Sequence, residues 1–115
     1  MYFVDLKYVE DNKENNSTNY LEFTKEPFDE FKAWKEDSLY IYGGIFDELE
    51  FNKLFRSVVS NFDFYDNTKV TKDDWDKLYE KSRSMDLRVV VAFDELKIWV
   101  DECFEEYDHF VIRGL

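Results

Sequence analysis

The sequence predicts an α+β fold: a small, mostly antiparallel sheet packed by three or four helices. Three observations carry this. Stretches near both ends of the chain have the short apolar character of strands, and several segments between repeat apolar residues at helical spacing. A length of 115 residues suits one domain, residues 1–115, with one core. Aromatics make up 20% of the chain (Phe 12, Tyr 8, Trp 3), so a few positions bury much area. With Gly 3 and Pro 1, a low-complexity or disordered chain is excluded.

Met1 to Val9 alternates, with Tyr2, Val4, Leu6 and Tyr8 on one face and Asp5 and Lys7 on the other. Period two with these residue types predicts a half-buried strand. Asp11 to Asn19, DNKENNSTN, is polar and turn-rich and predicts an exposed hairpin loop. Tyr20 to Lys25 then predicts a second strand, antiparallel to the first. Pro27 suits a first helical turn, and Phe28, Phe31 and Trp34 follow at helical spacing, so Glu26 to Glu36 predicts a short helix. Leu39 to Tyr42 is an apolar burst that fits either a strand or a helical turn. Gly43-Gly44 predicts a sharp bend or a close backbone approach.

Phe51, Leu54, Phe55, Val58, Val59 and Phe62 give the clearest helical pattern, for a helix over Glu48 to Ser60. Phe62, Phe64 and Tyr65 lead into Asp66-Asn67, a turn signal. Thr71 is an N-cap candidate with Asp74 at the capping-box position, so a helix is expected from Lys72 to Arg83. Ser84 to Asp86 reads as a connection. Leu87 to Phe93, LRVVVAF, is β-branched and favours a short strand over an early start of the last helix. That helix, Asp94 to Tyr107, places Leu96, Trp99, Val100, Cys103 and Tyr107 on one face and an acidic back toward water. Phe110, Val111 and Ile112 predict a final strand within Asp108 to Leu115.

Net charge is −12, from 15 basic and 27 acidic residues. Direct binding of nucleic acid or an anionic membrane needs clustered cations, so neither is expected. A basic protein partner would be attracted and steered in. The bland reading is that this charge only keeps the protein soluble. The opening MYFVDLKYVE is neither a signal peptide nor a transmembrane segment, which makes a cytoplasmic location the expectation.

Chemistry-bearing constellations are absent. Cys103 and His109 are the single cysteine and the single histidine, so neither a disulfide nor a usual zinc site can form. Cys103 lies on an apolar helix face beside Glu102, Glu105 and Glu106, which suits a small buried hydrophobe and not a thiolate. Asp63, Asp66, Asp73 and Asp74 have no central Gly of an EF-hand loop. Gly43-Gly44 has no following Lys-Ser/Thr of a phosphate loop. Carboxylates are too abundant for any pair to signal a glycosidase, and no nucleophile elbow exists. No enzyme and no cofactor are expected. Phe23, Trp34, Phe51, Phe55, Trp75 and Trp99, with Tyr2, fit core positions. Tyr40, Tyr42, Phe64 and Tyr65 sit beside turns, where aromatics either close the core or anchor an interface.

The segment FDFYDNTKVTKDDWDKL, Phe62 to Leu78, carries an aromatic-Tyr-turn, then Thr-x-Val-Thr and a Trp. The closing ELKIWVDECFEEYDHFVIRGL carries an acidic helix with a Trp, then a short strand ending Ile-x-Gly-Leu. In both, the chain resembles small bacterial immunity proteins of polymorphic and contact-dependent toxin systems. Where their pattern commonly has Gly-Pro after the Tyr, Asp66-Asn67 stand here. The resemblance implies a cytosolic protein that neutralises a cognate toxin domain, expected to be a basic nuclease, by occlusion. No binding residue transfers by motif. Charge alone nominates Asp47, Glu48 and Glu50, and with them Asp94, Asp101, Glu102, Glu105, Glu106 and Asp108, as the partner-binding surface. The alternatives are an acidic nucleic-acid mimic inhibiting a DNA-binding protein, or a non-catalytic adaptor subunit.

Overall fold

A computed structural model describes residues 2–3, 20–25 and 37–114. The expected loop Asp11 to Asn19, the expected helix Glu26 to Glu36 and most of the expected first strand lie outside these residues.

The strands are β1 (Tyr2–Phe3), β2 (Tyr20–Thr24), β3 (Leu39–Tyr42), β4 (Asn67–Thr71) and β5 (His109–Arg113). The helices are α1 (Gly43–Glu48), α2 (Phe51–Val58), α3 (Lys72–Ser82) and α4 (Leu87–Glu106). The strands form one sheet in the order β1-β3-β2-β5-β4. The fold is α+β, and the sheet is antiparallel except for its β1–β3 edge. The expected β1–β2 hairpin is corrected: β2 gives its two edges to β3 and β5, and β1 runs parallel to β3. The C-terminal strand forms as expected, and it lies inside the sheet between β2 and β4.

Alternation along the strands divides the sheet into two faces. Leu21, Phe23, Leu39, Ile41, Val70, Phe110 and Ile112 join one core cluster with residues of all four helices. The centre of that cluster is aromatic. Phe46 packs on Phe51, Phe55 and Phe62 with ring centroids 5.3, 5.5 and 5.7 Å away. Trp75 stacks on Phe93 at 5.3 Å, and Phe23 stacks on Phe110 at 5.3 Å. Phe51, Phe55, Trp75 and Trp99 are therefore core residues, as their spacing predicts.

The opposite face buries polar groups. Glu22 is only 3% exposed and Tyr40 only 1%. The Glu22 carboxylate accepts from Ser38 Oγ at 2.7 Å and Tyr40 OH at 3.3 Å, and Arg113 Nε stands 3.4 Å away. Burial, with the Glu22 charge adding to it, pushes the Tyr40 phenol well above its ordinary range.

Two helical expectations need correction. Leu87 to Phe93 is the first third of α4, not a strand. Its core residues Val89, Ala92 and Phe93 continue at helical spacing into Leu96, Trp99, Val100 and Cys103. Asp86 caps it, accepting from the Arg88 backbone N–H at 2.8 Å. The single helix expected over Glu48 to Ser60 is broken at Glu50, whose φ of 57° and ψ of 35° are left-handed. Gly43-Gly44 stands at the direct passage from β3 into α1, whose N-cap is Tyr42. By contrast, Thr71 and Asp74 form the expected capping box, with bonds of 3.2 and 3.1 Å.

Candidate interaction site

The nominated carboxylates all lie in exposed positions, but in three places. Asp94, Asp101, Glu102, Glu105 and Glu106 lie along α4, a helix about 30 Å long, and Asp108 follows its end. Glu48 and Glu50 line a groove of about 620 Å³ between the α1–α2 break and the start of α4. Asp47 lines a separate cup of about 430 Å³ with Tyr42, Asn52, Arg56, Phe64 and Tyr65. The single acidic surface expected from charge is therefore not contiguous.

The α4 face is built by helical spacing. Trp99, Val100 and Cys103 face the core, and the Trp99 indole N–H reaches the Asp37 carbonyl at 2.8 Å. That places Ile98 outward, 60% exposed, with Asp94, Asp101, Glu102 and Glu105 at i−4, i+3, i+4 and i+7. Leu87, 66% exposed, lies on the same side of the helix. Sequence reasoning took the acids and missed these two apolar positions. The signal was there: both fall opposite the centre of the Leu96–Val100–Cys103 face on the helical wheel.

Several of these acids are already occupied. Asp94 accepts from Tyr79 OH at 2.8 Å and pairs with Arg83 at 3.0 Å. The bond to Asp94 raises the Tyr79 phenol. Asp101 pairs with Lys97 and raises its ammonium above the usual lysine range. Glu102 stands 3.9 Å from Lys25. Asp108 accepts from the His109 ring at 2.7 Å, a bond that holds it below the usual carboxylate range. Among the described residues, Glu105 and Glu106 have no ion pair, and neither do Asp47 and Glu50. Glu48 in the groove is tied to Arg88 at 3.5 Å. These exposed pairs are worth little energetically, and a partner could exchange them without a large cost.

The cup forms where β3 and β5 end and β4 begins. Gly114 donates to the Asp66 carbonyl at 3.1 Å, locking the Phe64–Asp66 turn against the end of β5. A Cβ on Gly114 would come within 2.6 Å of backbone atoms of Phe64 and Asp66, so the fit needs glycine. The turn displays Tyr65, 73% exposed, edge-on to Phe64 at 5.1 Å. Of the four aromatics beside turns, Tyr40 is buried, Tyr42 and Phe64 are half-buried, and Tyr65 stands in solvent.

Among the described residues, no group of three His, Cys, Asp or Glu could hold a metal ion, and no helix is long and apolar enough to cross a membrane. Cys103 is buried, its thiol donating to the His109 carbonyl at 3.5 Å. What the fold presents is an α+β scaffold with an accessible apolar-in-acid helix face and an aromatic cup. Compared with protein-family models, curated proteins and solved structures, the chain matches none.

Proposed function

We propose that this chain is a non-catalytic immunity protein that binds a cognate toxin domain of basic character and occludes it in the cytoplasm. The observation that supports this is the outward face of α4, where exposed Ile98 is ringed by Asp94, Asp101, Glu102 and Glu105. An apolar centre with a charged rim is the anatomy of a protein–protein contact. The rim's sign selects a basic partner and speeds encounter. A nuclease toxin is basic because its substrate is a polyanion, which is why that toxin class is favoured. A nucleic-acid mimic is less well supported, since Lys97 and Ile98 interrupt the row of carboxylates along the helix.

The test is co-expression with the product of the neighbouring upstream gene, with capture at low and high salt. A one-to-one complex that protects cells from that product supports the reading. Replacing Glu102, Glu105 and Glu106 with Gln should leave folding unchanged and slow association about tenfold at low salt. Ile98→Asp should speed dissociation. Salt-insensitive binding would point to an adaptor, and displacement of the complex by DNA to a mimic.

A further inference from the structure

The groove between the α1–α2 break and the start of α4 differs in charge from the rest of the molecule. Leu49, Leu54 and Val89, each 5% exposed, give it an apolar lining. Met85 stands in the same lining and keeps 44% of its surface in solvent. Among the described residues, its charged groups are the acids Glu48, Glu50 and Asp86 and the bases Lys53, Lys81 and Arg88. These cancel, in a chain whose net charge is −12. Arg88 is paired with Glu48 and with Asp86, each at 3.5 Å, and Lys81 donates to Ser57 Oγ at 3.0 Å. Glu50 and Lys53 remain, both exposed, with no ion pair among the described residues.

We infer that this groove is the contact surface of a two-fold dimer, each copy seating its Met85 in the groove of the other. A two-fold contact uses one patch twice, so the patch must complement itself. This patch holds an apolar hollow and, in its own lining, an exposed apolar side chain that can fill a copy of it. Its two unpaired charges have opposite sign, so Glu50 of each copy meets Lys53 of the other. A basic partner would face Lys53, Lys81 and Arg88 there, and an acidic partner Glu48, Glu50 and Asp86. A second copy meets each sign with the other. Outside the groove the excess of acids makes two copies repel, so the dimer is weak and strengthens as salt screens that repulsion. Binding of a basic toxin has the opposite salt dependence, and the dimer does not require it.

The test is sedimentation velocity of the full chain, from about 10 µM to about 1 mM, in low and high salt. A dimer with a dissociation constant on the order of 100 µM in high salt is expected, at least about threefold weaker in low salt. Met85→Asp, at an exposed position, should weaken it about tenfold or more. Lys53→Glu and Glu50→Lys each set like charges across the two-fold and should each weaken it about tenfold. Mixed in equal amounts, these two variants should form a heterodimer about as tight as the parent dimer, since each supplies the sign that the other lacks. Circular dichroism confirms that every variant folds.

A chain that stays monomeric at the highest concentration in high salt would overturn the inference. So would a dimer indifferent to Met85→Asp, or charge variants that associate no better mixed than apart. Saturable binding of an anilinonaphthalene dye to a chain that stays monomeric would overturn it in favour of a small apolar ligand. The immunity reading fails separately, by the absence of a toxin complex, whether or not the chain dimerises.

Discussion

The two faces of the sheet are held differently: one is buried along every strand, and the other is closed around Glu22, Thr24 and Tyr40 and half-open along β4 and β5. On one, Phe23, Ile41, Phe110 and Ile112 meet the helices with apolar atoms only. On the other, Glu22, Ser38 and Tyr40 are just as enclosed, but each carries a polar group that must find its mate. The apolar face is stabilised by area and dispersion, which are non-directional and tolerate exchange of similar shapes. The polar face is stabilised only while its partners stay complete, because an unpaired buried group keeps its full desolvation cost.

The largest expected effect is on the apolar face. Phe55 touches Phe46, Phe51, Phe62, Phe93 and Phe23 with centroids between 5.4 and 6.3 Å. Phe55→Ala should cost about 3–5 kcal/mol in urea unfolding, and Phe55→Leu much less. Equal losses for both would mean that this face demands specific shapes. On the polar face, Glu22→Ala removes the carboxylate that accepts from the Ser38 and Tyr40 hydroxyls and faces Arg113, and should cost about 2–4 kcal/mol. Adding Tyr40→Phe should then cost less than it does alone, since the Tyr40 hydroxyl has already lost Glu22. Strict additivity would break the picture of a coupled network.

A change on neither face calibrates both. Thr71→Ala removes the α3 cap and should lower stability by about 1 kcal/mol. The smallest effect is on acid stability. Asp86 is held below its ordinary 3.8, first by the Arg88 backbone N–H. Because its folded value is depressed, its contribution is complete above 3.8 and is lost as pH falls through the lower folded value. Helicity followed by circular dichroism from neutral pH downward should therefore decline at acid pH, less steeply in Asp86→Asn. An unchanged acid limb in that variant would remove Asp86 from the account.

What was legible in the sequence follows from how local each signal is. The capping box at Thr71 and Asp74 needs only its own four residues, and it forms as expected. The buried side of α4 from Leu96 to Cys103 is a repeat within one helix and forms too. Leu87 to Phe93 misleads because Val89, Val90 and Val91 favour a strand, while Asp86 and the Val89–Phe93–Leu96 spacing commit the segment to α4. Strand β4 was hidden because Asn67 to Thr71 is mostly polar. Only Thr68 and Val70 turn inward, and the pairing with β5 is set by residues some forty positions away. The left-handed Glu50 that splits α1 from α2 has no glycine or asparagine to announce it. For the site, charge identified exposed positions correctly but gave no account of their grouping. Ile98 was readable from the register of Leu96, Val100 and Cys103, whereas the cup beside Tyr65 depends on the Gly114 contact.

The position of β5 has a consequence for how the molecule is made. It is the last described element in chain order, and it joins β2 to β4 in the middle of the sheet. During synthesis β4 has no neighbour and β2 has one bare edge until residues 109–113 leave the ribosome. The nascent chain therefore carries open strand edges, and the sheet closes in a single late step. A ribosome stalled before His109 would release a species with every helix encoded and a split sheet, the form most prone to pair with its own kind.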